Sequence, residues 1–345
     1  MWWTIYKHKK RSRFVKGRDE PYAAFVREDL DNWSYLMALV THCIFIPRFI
    51  VGWSMFIACA AFNIVFCWFD DKEKIPQWKK TIMRFLAENT MRMLMFLIGG
   101  VIGRRQRVVT DYSYWLGPNN PIEWDCGMYV INHISPLDVC VHIWLQYPKA
   151  RYMGKREALS IPLANGYVWS LDFMLVGRDT KDSKEVRHAT IAKLEEDQIR
   201  AERGEIYPLS MYAEGATTNG SSIISFRKGA FASLRAVKPY YSKAWSVTGV
   251  SFCHGDATSL VAYLSIMIHG LLNVYTITEM PVFRPNEYFW KHHWDGKEEK
   301  WVAYARAVQQ AIVKQGNFKS NNASSDDKVA YKAMIRGKPL RTKKE

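Results

Sequence analysis

"CGMYVINHISPLD", residues 126–138, decides how the chain is read. Cys126 to Asn132 is a short apolar run of strand type that ends directly on His133. Two residues later a helix start is written out. Ser135 is a good N-cap, Pro136 suits the first helical position, and Asp138 stands where a capping-box carboxylate reaches back. Strand, polar loop, helix is the repeating unit of an α/β domain. Capping accounts for Asp138 but gives His133 no task.

The same alternation continues on both sides. Strands are expected at "RYMGK" (151–155), "FMLVGR" (173–178), "IYPLSMYAEG" (206–215), "SVTGVSF" (246–252) and "VYTITEMPVF" (274–283). Helices are expected over 136–147, 182–203, 260–273 and 298–315. The fold class is therefore α/β, a mixed sheet flanked by helices.

Ahead of this body the composition changes. Between Asp31 and Asp70 the only formal charge is Arg48, and Phe49 to Phe69 is 21 residues without one, long enough to cross a bilayer core. The flank before it carries Lys7, Lys9, Lys10, Arg11, Arg13, Lys16 and Arg18 with no acid among them, and the flank after it is also basic. Basic flanks on both sides predict a helical hairpin, broken at Pro47-Arg48, that returns to the cytosolic face. Four regions follow: a basic arm (1–32), a membrane hairpin or anchor (33–69), a catalytic-type domain (75–315), and a polar and basic tail (316–345) with a disordered linker at 320–327. Trp78 to Ile98 reads as an amphipathic helix on a charged membrane surface or on the core.

The formal net charge of +15 calls for an anionic partner. Nucleic acid is disfavoured, since no helix-turn-helix, RNP or zinc pattern accompanies the hydrophobic segment. Six cysteines without a C-x-x-C pair argue against both a disulfide framework and a zinc site. A serine hydrolase is disfavoured by the lack of G-x-S-x-G. His254 and Asp256 in "CHGDATS" read as a turn.

Three loops that follow strands carry polar residues a core does not need: 132–138, 177–181 and 214–220. Open α/β sheets gather ligands beyond the carboxyl ends of their strands, so the three are expected to share a cleft. His133 is suited to act as a general base near neutral pH, with Asp138 fixing its tautomer. Arg178, whose fork matches phosphate geometry, stands in the second loop.

These segments in this order resemble the membrane-bound glycerolipid acyltransferases. "NHISPLD" is similar to their N-H-x4-D block, "MLVGRDTKDS" to their second block, and "AEGATTNGSSIISFRKGAF" to the third, an E-G-T followed by Lys-Gly-Ala/Ser-Phe. "MPVFRP" is similar to the strand-Pro segment near the end of that domain. The resemblance covers roughly 33–315. It departs in Ala213 before Glu214, in Ala216-Thr217 after Gly215 where many members have an arginine, and in Gly249 for a fourth-block proline.

The resemblance implies transfer of a fatty acyl chain from acyl-CoA to a hydroxyl of a lysophospholipid, or of glycerol 3-phosphate. It implies His133 as base, Asp138 as its orienting partner, and Arg178 as ligand of the acceptor phosphate. Glu214 and Gly215 shape the acceptor site, and Lys155, Arg227 and Lys228 contact phosphate or CoA. No metal and no cofactor beyond acyl-CoA as co-substrate is implied, and the partners are membrane lipids rather than nucleic acid. The expected location is the endoplasmic reticulum membrane with the catalytic domain facing the cytosol. On that topology the sequon Asn219-Gly220-Ser221 stays unglycosylated. The rival from another class is a non-catalytic protein that uses its charge on anionic lipid.

Overall fold

The computed structural model describes residues 5–6, 20–71, 74–146, 149–155, 165–176, 184–253 and 259–336. Seven strands form its central sheet: β1 (Val101–Arg107), β2 (Met128–Ile131), β3 (Arg151–Lys155), β4 (Met174–Val176), β5 (Leu209–Tyr212), β7 (Lys238–Ser246) and β8 (Asn273–Glu279). Their order across the sheet is β1-β8-β7-β2-β5-β3-β4. Only β7 and β8 run antiparallel to each other. A separate parallel pair joins β6 (Ser222–Ile223) to β9 (Lys319–Ser320).

Period-two alternation along β2 sorts the core into two layers. Tyr129 and Ile131 join a cluster with Met91, Leu94, Met95 and Ile98 of helix α2 (Gln77–Gly99), Val141 of α3 (Asp138–Leu145) and Tyr263 and Met267 of α5 (Leu260–His269). Met128 and Val130 face the other way, toward Leu194 of α4 (Lys184–Glu202) and Tyr304, Val308 and Ile312 of α6 (Lys300–Gly316). The chain leaves α2 through Gly100, whose left-handed backbone (φ 58°) lets its N–H cap Phe96 O before β1 starts at once.

The helical break expected at Pro47-Arg48 is absent. One apolar helix, α1, runs from Tyr35 to Phe66 with Pro47 inside it, about 48 Å at 1.5 Å per residue. Arg48 does not break it because its charge has a home on α2. The guanidinium lies 4.8 Å from the Phe45 ring and 5.0 Å from Phe96, and donates to Phe96 O. The reversal comes instead after Cys67, and α1 pairs with α2 as the hairpin. Most of α1's outward residues, among them Leu36, Ile50 and Val65, are exposed and apolar, as are Trp68 and Phe69 beyond its end.

Two strands were not legible. "VIGRRQR" forms β1 although it is mostly polar, and "KPYYSKAWS" forms the central strand β7 although Pro239 stands at its second position. Conversely, only Ser246 of 246–252 is strand, and the chain then turns away, with Gly249 at φ 73°. The termini are also folded in further than expected. Ser324 closes a capping box with Asp327 at the head of α7 (Ser325–Ile335), within what reads as a disordered linker. Tyr331 and Ile335 of that helix pack with Ala24, Phe25 and Ile224.

Candidate active site

His133 follows β2 and Glu214 follows β5, and β2 and β5 are parallel neighbours, so both residues emerge at the same edge of the sheet. The Asn132 side chain anchors this edge by exchanging two hydrogen bonds with the backbone of Ser242 on β7, at 3.1 and 2.7 Å. Thr218 N–H donates to His133 O, tying the third loop to the first.

Asp138 Oδ2 accepts from His133 Nδ1 at 2.8 Å, from Ile134 N at 2.8 Å and from Ser135 N at 3.0 Å. Its carboxylate is fully buried, while the imidazole is 21% exposed. The capping reading and the triad-like reading of Asp138 are thus both realised by one oxygen. The Ser135 amide bond is the capping-box reach, although the regular helix begins only at Asp138. Because Nδ1 carries the proton given to the carboxylate, Nε2 is the basic nitrogen. The Tyr212 ring stacks on the imidazole at 4.2 Å and 22°.

Glu214 is entirely buried, and its oxygens accept from His133 N at 2.5 Å and Ile224 N at 2.9 Å. Desolvation pushes its acid up to about 8, against the pull of those two amides. Its carboxylate is therefore engaged with two loop backbones. Gly215 has φ 63°, and the Arg227 side chain lies over it, close enough that a Cβ would meet Arg227 Cδ at 2.7 Å. Arg227 also pairs loosely with Asp326 at 3.5 Å, and Lys228 pairs with Glu299 at 2.6 Å on the surface. Lys155 ends β3, its side chain outside the described part. Arg178 lies outside the described residues, as do His254 and Asp256. The structure thus brings together His133, Asp138, Glu214, Gly215 and Arg227, and sends Lys228 toward α6.

Sequence reasoning missed Tyr212, His142 and Tyr275, all within one bond or stack of the His133–Asp138 pair or of each other. Only His142 carried a local signal, lying one turn beyond Asp138 on α3.

Residues 124–247, which contain this whole edge apart from Tyr275, match the family model described as Acyltransferase. The match spans 124 of the 345 residues and includes His133, Asp138 and Glu214. It is 25% identical over 227 residues to the lysophospholipid acyltransferase LPEAT1 of Arabidopsis thaliana, covering 63% of this chain and 51% of that one. It is 24% identical over 198 residues to glycerol-3-phosphate acyltransferase 4 of Mus musculus, covering 56% of this chain and 38% of that one. The chain thus spans about half or less of the length of the curated relatives it matches. Among solved structures it resembles the 1-acyl-sn-glycerophosphate (LPA) acyltransferase PlsC of Thermotoga maritima. That match has 14% identity and a TM-score of 0.47, and covers 81% of this chain and 98% of that one.

Proposed function

We propose that this chain moves a fatty acyl group from acyl-CoA to a hydroxyl of a lysophospholipid. The observation that carries the reading is the 2.8 Å bond from His133 Nδ1 to buried Asp138, which turns Nε2 of a partly exposed imidazole into a base. Nε2 takes the proton from the acceptor hydroxyl as its oxygen bonds to the thioester carbonyl. The tetrahedral oxyanion then collapses, the C–S bond breaks, and the CoA thiolate leaves with the proton returned by the imidazolium. Asp138 stabilises that imidazolium throughout. Arg178, with Arg227 beside Gly215, supplies cations for the acceptor phosphate. Glycerol 3-phosphate is the second acceptor reading, favoured by the likeness to the mouse enzyme named for it.

The exposed apolar flank of α1 fits a membrane surface. On this reading the chain sits in the endoplasmic reticulum membrane, with the sheet edge open to cytosolic acyl-CoA. The test is thiol release from acyl-CoA by the full chain in membranes, across lysophospholipids and glycerol 3-phosphate, with His133→Ala alongside. Release that requires an acceptor and falls by about 10²-fold or more in the variant supports the base. Equal release by both proteins overturns it, and leaves the non-catalytic lipid-binding reading.

A further inference from the structure

We propose that Tyr275 and His142 are positioning residues for the transfer, holding the Asp138 carboxylate, and through it the His133 imidazole, by a buried hydrogen-bond chain. The inference rests on His133 being the base.

Asp138 Oδ2 is held by two amides and the imidazole, which leaves Oδ1 to be oriented by something else. That partner is the Tyr275 hydroxyl, which reaches over from β8 to donate at 2.9 Å. A tyrosine has one proton to give. Having given it to Asp138, Tyr275 must accept at its 2.8 Å contact with His142 Nε2. His142 is thereby fixed as the Nε2–H tautomer, with Ser242 Oγ also 3.1 Å from that nitrogen. Its Nδ1 is then free to accept from the Tyr212 hydroxyl at 2.9 Å. One assignment of protons satisfies every member, and the chain closes on itself, because the Tyr212 ring is the one stacked on His133.

Asp138, His142 and Tyr275 are all fully buried. A phenylalanine at 275 would fill the same space, so the hydroxyl's desolvation is offset only by the bonds it makes. Burial also pushes His142 down to about 4, so the chain puts no second cation beside Asp138 to compete with His133. With both oxygens fixed, the carboxylate cannot turn away from the imidazole. That is the role an orienting shell plays around a reactive group.

Other titratable groups face the pair from each element packed on it: Glu214 and Tyr212 from the end of β5, Cys140 from α3, Cys253, and Tyr263, which contacts Ser135. Tyr275→Phe changes none of these, so the acid limb of the pH profile is the readout. A carboxylate that loses a donor pulls harder on the proton it shares with the imidazole.

In full-length protein in membranes, Tyr275→Phe is expected to lower kcat about tenfold with KM for both substrates unchanged, and to move the acid limb of kcat/KM to higher pH. His142→Gln, which keeps a donor and an acceptor, should stay nearer the parent than His142→Leu. An unchanged kcat, or a loss without movement of the acid limb in folded Tyr275→Phe, overturns the positioning role. Retained activity in His133→Ala overturns instead the reading beneath it. Should His142→Leu fail to fold, the Tyr275→Phe profile alone decides.

Discussion

The buried carboxylate of Glu214 and the backbone amide of His133 are joined at 2.5 Å, so the loop after β5 braces the loop after β2. The other oxygen of Glu214 holds Ile224 N, at the start of the segment leading to Arg227. A residue that the family resemblance suggests for the acceptor site is, in the fold, a strut between three loops.

This strut has a pH signature. Glu214 titrates near 8 in the fold because burial penalises its charge, against an ordinary value of 4.5. Folding therefore takes up a proton between about pH 4.5 and 8, and stability falls as pH rises through that window. The slope from this group is at most about 1.4 kcal/mol per pH unit. Glu214→Gln cannot ionise, so its melting temperature should vary less across the window than the parent's. It should also be lower overall, since the amide NH2 meets a backbone donor. Thermal unfolding in detergent from about pH 4.5 to 8.5 checks this, and parallel curves for the two proteins would refute it.

Gly215 joins two constraints, a left-handed backbone and an arginine lying over its α-carbon. Arg227 is exposed and able to swing aside, so Gly215→Ala should lose about 1 kcal/mol, mainly from the backbone. The displaced guanidinium should also raise KM for a phosphate-bearing acceptor. An Arg227→Ala background should remove the kinetic effect and keep the stability loss. Additive changes in KM would show that the Gly215→Ala effect does not act through Arg227.

What could be read along the chain was local. The β2 strand, the His133 loop and the Asp138 cap are contiguous in sequence, and their periodicity and capping rules agree. The support of that pair was not readable, because Tyr275 is brought to Asp138 only by β8 pairing antiparallel with β7, which pairs with β2. The polar pattern of β1 and the proline of β7 hid two strands whose place is set by neighbours rather than by propensity. The break at Pro47 failed for a similar reason, since Arg48 finds its partners on α2, outside any local window.

Asn219 belongs to a sequon, yet its side chain is already committed. Its amide donates to Ala23 O at 2.9 Å and Val26 O at 2.8 Å, while Oδ1 accepts from the Ser221 amide and hydroxyl. A glycan would take a donor from this joint. The chain should show no endoglycosidase-sensitive mass shift when made in microsomes. Asn219→Ala should cost about 2 kcal/mol, one for each lost side-chain bond to the 20–26 segment, and should expose that segment to protease. A glycan at Asn219 would overturn both the joint and the cytosolic placement.

The apolar helix α1 is bound into the domain rather than only attached to it. Gly166 of the short helix Asn165–Ser170 approaches α1 so closely that a Cβ would stand 2.4 Å from Ala60 O. Asn63 donates to Gly166 O at 3.2 Å, and the Tyr167 hydroxyl donates to Phe56 O at 2.9 Å with its ring stacked on Phe56. Backbone cannot yield as a flexible side chain can. Gly166→Val is therefore expected to push α1 away, at a cost on the order of 2 kcal/mol, and to speed cleavage between α1 and α2 during limited proteolysis. Gly204→Val, at a turn with φ 74° where a Cβ meets nothing within 4 Å, strains only its own backbone, so any loss falls on overall stability and that cleavage rate should stay unchanged. Equal rates in the Gly166 variant and the parent would mean that the contact at Gly166 does not hold α1.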